Sequence, residues 1–222
     1  MAGKGNIMRI LFIRHGEPDY ARDCLTETGR IQAEQAAERL CRENIEEIWS
    51  SPLGRAQETA EAAARVLGLP VRTLECMREV QWGSTDGTEL FAGGHPWNIV
   101  DEMALKGLDL TRTDWRENSF FKTNRILGCI DQVEKGIDEW LAGFGYVRSG
   151  AYYTHNQTEE KHRTIAVFCH GGSSSAAIGH ILNLPFPYIC ALLHLEYTGV
   201  AILRFDRRAG AGKLPCLEKV GL

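Results

Sequence analysis

Two short runs of the sequence place a histidine directly after an apolar, strand-like segment. Phe12-Ile13-Arg14-His15-Gly16 is one run, and Phe168-Cys169-His170-Gly171 is the other. A neutral imidazole is a nucleophile and can carry a proton near neutral pH. A single histidine-glycine pair after a strand is usually a turn with a satisfied imidazole. Two such pairs at one edge of one sheet would bring two imidazoles to a common site.

Two arginines accompany these histidines. Arg14 directly follows the first apolar run, and its planar guanidinium suits a phosphate or a carboxylate. The alternative partner for Arg14 is a core carboxylate such as Glu17. The segment 50–59 also follows a strand-like run and opens a helix, whose N-terminal amides favour anions. Arg55 in this segment is either a solvated helix residue or a second arginine that binds phosphate.

Strand-like and helical patterns alternate along the chain. The strand-like runs are residues 7–13, 45–49, 71–74, 165–169, 192–197 and 200–205. The helical patterns begin near Thr26, which can cap a helix, and cover 55–67, 126–141 and 173–182. This alternation predicts an α/β fold, a three-layer α/β/α sandwich with a mostly parallel sheet. Ligands of such sheets bind at the carboxyl ends of the strands, where both histidines fall.

The 222 residues suit a single domain, residues 1–222, with a substantial insertion. Residues 83–121 break the alternation with glycines, Pro96 and several aromatic residues, which predicts short helical fragments at most. Long irregular segments in compact domains are often functional loops. We therefore expect residues 83–121 to form an insertion or lid over the site.

Composition excludes several classes of protein. The 25 basic and 29 acidic residues give a net charge of −4. Proteins that bind nucleic acid or an anionic membrane surface are expected to have a strongly basic face, which this charge does not favour. No run approaches the roughly 20 apolar residues of a membrane span. Seven widely spaced cysteines without a C-x-x-C pair predict reduced thiols in a cytoplasmic protein. The remaining histidines lack the spacing of metal ligands, so surface or packing roles are expected for His95, His155, His162, His180 and His194.

Four motifs together resemble the histidine phosphatase superfamily, which has the phosphoglycerate-mutase-like fold. In chain order they are Arg14-His15-Gly16-Glu17, Leu25-Thr26-Glu27-Thr28-Gly29, Ser51-Pro52-Leu53-Gly54-Arg55-Ala56-Gln57-Glu58-Thr59-Ala60 and Phe168-Cys169-His170-Gly171-Gly172. They occur in the order of the family and span nearly the whole chain.

The resemblance implies catalysis through a phosphohistidine. His15 would be the nucleophile, and Arg14, Arg55, His170 and Gly171 would bind the phosphoryl oxygens. No metal or other cofactor is implied, because cationic side chains neutralise the phosphate.

The resemblance also implies a carboxylic acid that protonates the leaving oxygen. The pattern is a glutamate followed by glycines four and eight positions later, and Glu79 with Gly83 and Gly87 fits it. Glu75 is the competitor, although no glycine stands four residues after it. The alternative for Glu79 is an ion pair with Arg78 or Arg55.

The short segment from Pro18 to Cys24 lacks the Trp-Asn pair and the longer loop of the mutases, which favours a phosphatase acting on a small phosphorylated metabolite. Arg112 and Arg116 could replace the mutase contacts to a second phosphate. Mutase-type phosphoryl transfer and a non-catalytic phosphate-binding protein remain alternatives. A serine hydrolase is excluded, because no histidine follows Glu196. The sequence predicts neither the particular metabolite nor the oligomeric state.

Overall fold

The computed structural model describes residues 7–155, 163–206 and 214–221. Its strands are β1 (Ile7–Arg14), β2 (Pro18–Asp19), β3 (Cys24–Leu25), β4 (Glu47–Ser50), β5 (Val71–Thr73), β6 (Tyr146–Ser149), β7 (Tyr152–His155), β8 (Arg163–Cys169), β9 (Val200–Asp206) and β10 (Cys216–Val220). Its α-helices are α1 (Glu27–Leu40), α2 (Gly54–Leu67), α3 (Pro96–Leu105), α4 (Ile126–Gly143), α5 (Gly171–Leu182) and α6 (Phe186–Leu192). Short 3₁₀ segments lie at Cys41–Glu43, Glu75–Met77, Phe91–Gly94 and Trp115–Glu117.

The central sheet has six strands in the order β10-β9-β1-β8-β4-β5. Strands β1, β8, β4 and β5 are mutually parallel, whereas β9 runs antiparallel to both of its neighbours. The register of the central pair places Arg14 opposite Cys169. The next residue on each strand is a histidine, so the backbone alone brings His15 and His170 to the same sheet edge.

Both faces of the sheet are buried, as the continuous apolar runs predict. In β1, Ile10 and Phe12 pack into one core cluster with residues of α3 to α6. Leu11 and Ile13 point to the opposite face and pack into a second cluster with residues of α1 and α2. All four side chains are fully buried. The predicted three-layer α/β/α arrangement is therefore confirmed.

The loop after β1 lies directly against the first turn of α1. Thr26 caps this helix, since its Oγ1 accepts a hydrogen bond of 3.0 Å from the Gly29 amide. A Cβ atom on Gly16 would lie 2.5 Å from the carbonyl oxygen of Gly29, and one on Gly29 would lie 2.1 Å from that of Glu17. Neither position has room for a larger residue, so this glycine contact fixes the loop that carries His15.

The segment 83–121 contains more regular structure than its composition predicts. Helix α3 has ten residues, with Pro96 at its start, where a missing amide hydrogen costs nothing. Its buried residues Ile99, Val100 and Met103 have helical spacing and belong to the larger core cluster. The segment is therefore anchored to the core and not merely laid over it.

The prediction of a strand at residues 192–197 is wrong. Helix α6 ends at Leu192, and the chain then runs without regular structure to the start of β9. A short apolar run does not distinguish a buried helix from a strand, which explains the error. The exposed edge strand β10 was not predicted. Within the polar segment 152–163, β7 pairs with β6, while residues 156–162 lie outside the described residues.

Among the described helices, no single one is both long and apolar enough to cross a membrane. Only α5 and α6 taken together reach that length and composition, and a bend of 116° separates them.

Candidate active site

His15 and His170 meet at the carboxyl ends of β1 and β8. The His15 amide donates a hydrogen bond of 3.0 Å to the carbonyl of Cys169, and the two imidazole centroids are 5.0 Å apart. Both side chains are buried. The expected convergence of two imidazoles is present.

The contacts of His15 define its tautomer. Nδ1 lies 2.7 Å from the carbonyl oxygen of Gly16, which can only accept, so Nδ1 carries the proton. Nε2 accepts from Nε of Arg55 at 3.4 Å and is therefore unprotonated, with its electron pair directed at that guanidinium. Burial lowers the pKa of His15 to about 4, and the charges of Arg55 and Arg14 act in the same direction. His15 is therefore a neutral imidazole at pH 7.

His170 is also neutral. Its Nε2 lies 2.8 Å from the hydroxyl oxygen of Ser51. Burial holds the pKa of His170 well below the usual range, and the neighbouring His15 and Arg55 add to this effect. The positive charge of the site therefore comes from guanidinium groups and not from imidazolium.

Arg55 is buried in the first turn of α2 and forms an ion pair with Asp23. Asp23 also accepts a hydrogen bond of 2.8 Å from the Gly54 amide. Thr59, one turn further along the helix, accepts a hydrogen bond of 3.1 Å from the Gly16 amide. The serine-proline-arginine motif thus holds both Arg55 and the loop that carries His15. The role of Asp23 was not predicted.

Arg14 lines the cavity of the site and pairs with no carboxylate of the described residues. Its Nη1 donates to the carbonyl of Leu195 at 2.7 Å, and its guanidinium lies 4.5 Å from the ring centroid of Tyr197. Its Nε is buried and has no hydrogen-bond partner among the described residues. Glu17 instead accepts from the Thr26 hydroxyl at 2.7 Å, so it does not pair with Arg14. A buried N–H without a partner suits an anionic ligand.

Glu79 lies at the N-terminus of α5, close to the histidines. Its Oε1 accepts from the amides of Val80 and Ser173 at 2.9 and 3.0 Å, and its Oε2 from that of Gly172 at 3.4 Å. A Cβ atom on Gly172 would lie 2.7 Å from Oε1, so only glycine admits the carboxylate here. Burial raises the pKa of Glu79, and the three amides oppose that shift.

The two alternatives were an ion pair of Glu79 with Arg78 or Arg55, and Glu75 as the acid. The contacts of these residues support neither. Arg78 pairs with Glu75 at 3.4 Å on the exposed surface, and Arg55 pairs with Asp23. Glu79 therefore has no ion-pair partner among the described residues. Glu75 is occupied by Arg78 and faces solvent.

A cavity of about 280 Å³ opens beside these residues. Its lining consists of Arg14, Tyr20, Glu79, Trp82, His95, Trp97, Gly171, Leu193, His194 and Leu195. Neither His95 nor His194 was expected here, because surface or packing roles were predicted for both. The aromatic content of the segment near residues 82–97 was the only available signal.

The two arginines that could have replaced mutase contacts lie elsewhere. Arg112 pairs with Asp114, with Nε 2.8 Å from Oδ1. Arg116 pairs with Asp131 at 2.8 Å and with Glu134 at 3.2 Å. Neither arginine lines the cavity.

The other histidines that the structure describes show no metal-binding arrangement. His180 lies 2.9 Å from Asp138, and the ring of His155 packs on Tyr146 with centroids 4.7 Å apart. His162 lies outside the described residues. In the part of the chain that the structure describes, no group of three or more His, Cys, Asp and Glu side chains could hold a metal ion.

The chain is similar to several known proteins. Residues 10–102 match the model of the histidine phosphatase superfamily (branch 1). "Probable phosphoglycerate mutase GpmB" of Photorhabdus laumondii is 34% identical over 86 residues, which are 35% of this chain and 40% of that protein. "Putative phosphoserine phosphatase 2" of Hydrogenobacter thermophilus is 24% identical over 207 residues, covering 89% of this chain and 90% of that protein.

A solved structure has the same fold over nearly the whole chain. The mycobacterial glucosyl-3-phosphoglycerate phosphatase is 24% identical, with a TM-score of 0.61, and the match covers 96% of this chain and 97% of that one. The matched family model includes the segments that carry His15, Arg55 and Glu79. Over residues 10–102 the chain resembles the histidine phosphatase superfamily, and over nearly its whole length it has the fold of that phosphatase.

Proposed function

We propose that the protein hydrolyses the phosphomonoester of a small metabolite through a phosphohistidine on His15. The observation that supports this proposal is the pair of hydrogen-bond contacts that the His15 imidazole makes. The Gly16 carbonyl holds the proton on Nδ1, and Arg55 faces the electron pair of Nε2 at 3.4 Å. The nucleophilic nitrogen thus points toward a guanidinium group that attracts the phosphoryl group.

In the first step, Nε2 of His15 attacks phosphorus and the bond from phosphorus to the ester oxygen breaks. Arg14, Arg55, His170 and the amide of Gly171 bind the three phosphoryl oxygens and stabilise their charge in the transition state. Glu79 donates its proton to the leaving oxygen. The raised pKa of Glu79 suits this role, because it keeps more of the carboxyl group protonated near neutral pH.

In the second step, water attacks the phosphorus of phosphohistidine. The Glu79 carboxylate takes a proton from that water, and the bond between phosphorus and Nε2 breaks. Inorganic phosphate leaves, and both His15 and Glu79 return to their starting protonation states. The two guanidinium groups balance the phosphoryl charge throughout, so the steps use no metal ion or other cofactor.

The segment 83–121 acts as a lid on this site, within a single domain. His95 and Trp97 in this segment line the cavity beside Arg14 and Glu79. Asn124 fixes the base of the segment, because its side chain bonds to Gly83 and to Gly94 at 3.2 and 2.8 Å. This arrangement supports a lid that covers the leaving group and shields it from water.

Hydrolysis is favoured over mutase-type transfer. A mutase must hold a second phosphate or carboxylate, and Arg112 and Arg116 are both paired with acidic neighbours away from the cavity. Arg14 is the only arginine or lysine that lines the described cavity. The match to a protein named as a phosphoglycerate mutase makes that transfer the second candidate.

A cytoplasmic location is part of the proposal. All seven cysteines are free thiols, and Cys169 and Cys190 are buried in the core. Free thiols persist in a reducing compartment. The net charge of −4 gives no support for nucleic acid or an anionic membrane as a partner.

The test is a comparison of the wild-type protein with His15→Ala on p-nitrophenyl phosphate, with a chelator present. We expect turnover by the wild type, inhibition by vanadate and no turnover by the variant. Rapid quenching with ³²P-labelled substrate should trap acid-labile phosphate on the wild type only. His180→Ala, which changes a histidine outside the site, should retain turnover. Activity that persists in His15→Ala would contradict the phosphohistidine.

A further inference from the structure

We propose that the organic part of the substrate is an uncharged aromatic group, bound between Trp97, Trp82 and His95. This inference rests on the proposed hydrolase function and names the class of its substrate. Its evidence is the composition, charge and size of the cavity beside the phosphate-binding residues.

The aromatic side chains form one continuous wall. The ring of His95 packs edge-on against Trp82, with centroids 4.8 Å apart, and lies 5.5 Å from the ring of Trp97. The Trp97 ring reaches the start of α5, because its Cζ2 is 3.3 Å from the position of a Cβ on Gly171. The aromatic wall therefore begins next to the residues that would bind phosphate.

Part of the aromatic wall is still exposed to solvent. Trp82 is 38% exposed, although its ring packs against that of His95. Tryptophan faces recognise flat rings by stacking and by burial of apolar area. Leu193 and Leu195 complete the lining with buried aliphatic side chains. An aromatic leaving group would contact apolar atoms on both sides.

The charges of the cavity disfavour an acidic leaving group. Arg14 is the only arginine or lysine in the described lining, and the phosphoryl group uses it. Burial lowers the pKa of His95, so its ring adds no positive charge at pH 7. Glu79 adds an acidic group on the same wall. A carboxylate, such as that of phosphoserine or 3-phosphoglycerate, would find no second arginine or lysine in the described lining.

The volume limits the size of the group. A cavity of about 280 Å³ lies just below the range for small-molecule sites, roughly 300–1,000 Å³. It admits one ring system with small substituents. A nucleotide or an oligosaccharide would extend beyond it.

The experiment compares kcat/KM for benzyl phosphate, phosphoserine and 3-phosphoglycerate, three alkyl esters whose leaving oxygens are all aliphatic. We expect benzyl phosphate to be preferred by tenfold or more over both acidic substrates. Trp97→Ala should lower kcat/KM for benzyl phosphate about tenfold and change the other two by less than twofold. Trp97→Phe, which keeps an aromatic face, should retain most of the benzyl phosphate activity.

A second measurement uses only the wild-type protein and does not depend on whether a variant folds. Benzylphosphonate should inhibit the wild type about tenfold more strongly than methylphosphonate, because only the former fills the aromatic wall. Equal inhibition, a preference for either acidic substrate, or an equal loss on all three substrates in Trp97→Ala would overturn the inference. The proposed function would still stand in those cases if p-nitrophenyl phosphate were turned over by wild type and not by His15→Ala.

Discussion

Asp23 and Arg55 form an ion pair at the edge of the phosphate-binding residues. The pair has two opposing effects on an anion. Asp23 orients a buried guanidinium and also accepts from the Gly54 amide, but its own negative charge repels phosphate. This pair therefore offers a direct measure of the electrostatic balance at the site.

We predict that Asp23→Asn binds inorganic phosphate and vanadate more tightly than the wild type. Asparagine keeps an oxygen for the Gly54 amide, while the repulsive charge is removed. For a partly exposed carboxylate this is worth about 1 kcal/mol, or about fivefold in Kd. Isothermal titration with phosphate measures the change. Asp19→Asn, the same charge change on the same loop, should leave Kd nearly unaltered; weaker binding by Asp23→Asn would show that orientation outweighs repulsion.

We predict that Glu79→Gln loses activity according to the leaving group. Glutamine still accepts from the amides of Val80 and Ser173, but it cannot supply a proton. General acid catalysis contributes about 10²–10⁴-fold, so kcat/KM with alkyl phosphates, which reports on the first step alone, should fall by about 10²-fold or more. With p-nitrophenyl phosphate, whose leaving oxygen needs no proton, the loss should stay below tenfold.

The matched control for this series is Glu75→Gln, four residues upstream. Its carboxylate pairs with Arg78 on the surface, and its removal should leave both rates unchanged. An equal loss with both classes of substrate in Glu79→Gln would remove Glu79 as the acid.

The convergence of the two histidines follows from the sequence, because apolar runs that end at His15 and His170 form adjacent parallel strands. The partners of Arg14 do not follow from it. Arg14 donates to the backbone carbonyl of Leu195, and a carbonyl acceptor has no residue-type signature. The error at 192–197 has the same origin, because its apolar residues are compatible with a helix, a strand or a buried irregular segment.

The residues that line the cavity could not be predicted from the sequence either. His95 and Trp97 lie more than 70 residues before Gly171 in the chain, and only the packing of the segment 83–121 brings them to it. Long-range contacts of irregular segments depend on tertiary structure and leave no periodic pattern. Asp23, in contrast, stands two residues before a recognised motif, but carboxylates in loops are usually solvated.

We predict that Asn124→Ala destabilises the protein and loosens the segment 83–121. The buried amide of Asn124 accepts from the backbone of Gly83 and Ile126 and donates to Gly94. Leaving such groups without partners costs about 1–3 kcal/mol, so the free energy of unfolding in urea should fall by about 2 kcal/mol. Limited proteolysis within 83–121 should become faster.

The control for Asn124 is Asn118, which lies within the segment 83–121. The side chain of Asn118 accepts one hydrogen bond from the Phe120 amide and is less buried, so Asn118→Ala should cost less than 1 kcal/mol. Equal effects of the two alanine variants would contradict a special role for Asn124.

The last prediction concerns the pH dependence of stability. His15 is buried as a neutral imidazole, and its pKa is lowered from 6.5 to about 4. Below pH 6.5 the unfolded chain binds a proton at this residue and the folded chain does not, so unfolding becomes more favourable as pH falls. The stabilising contribution is therefore complete above pH 6.5 and is lost progressively down to pH 4. The full loss is about 3 kcal/mol.

Urea denaturation at pH 7.0, 5.5 and 4.5 measures this loss, and His15→Asn isolates it. Asparagine can still donate to the Gly16 carbonyl but does not titrate, so the variant should lose less unfolding free energy than the wild type over the same interval. His170 has a lowered pKa as well, and its contribution in the same direction should remain in the variant. Parallel curves for the two proteins would mean that His15 is protonated in the folded state. The tautomer defined by Gly16 and Arg55 could then no longer explain the nucleophile.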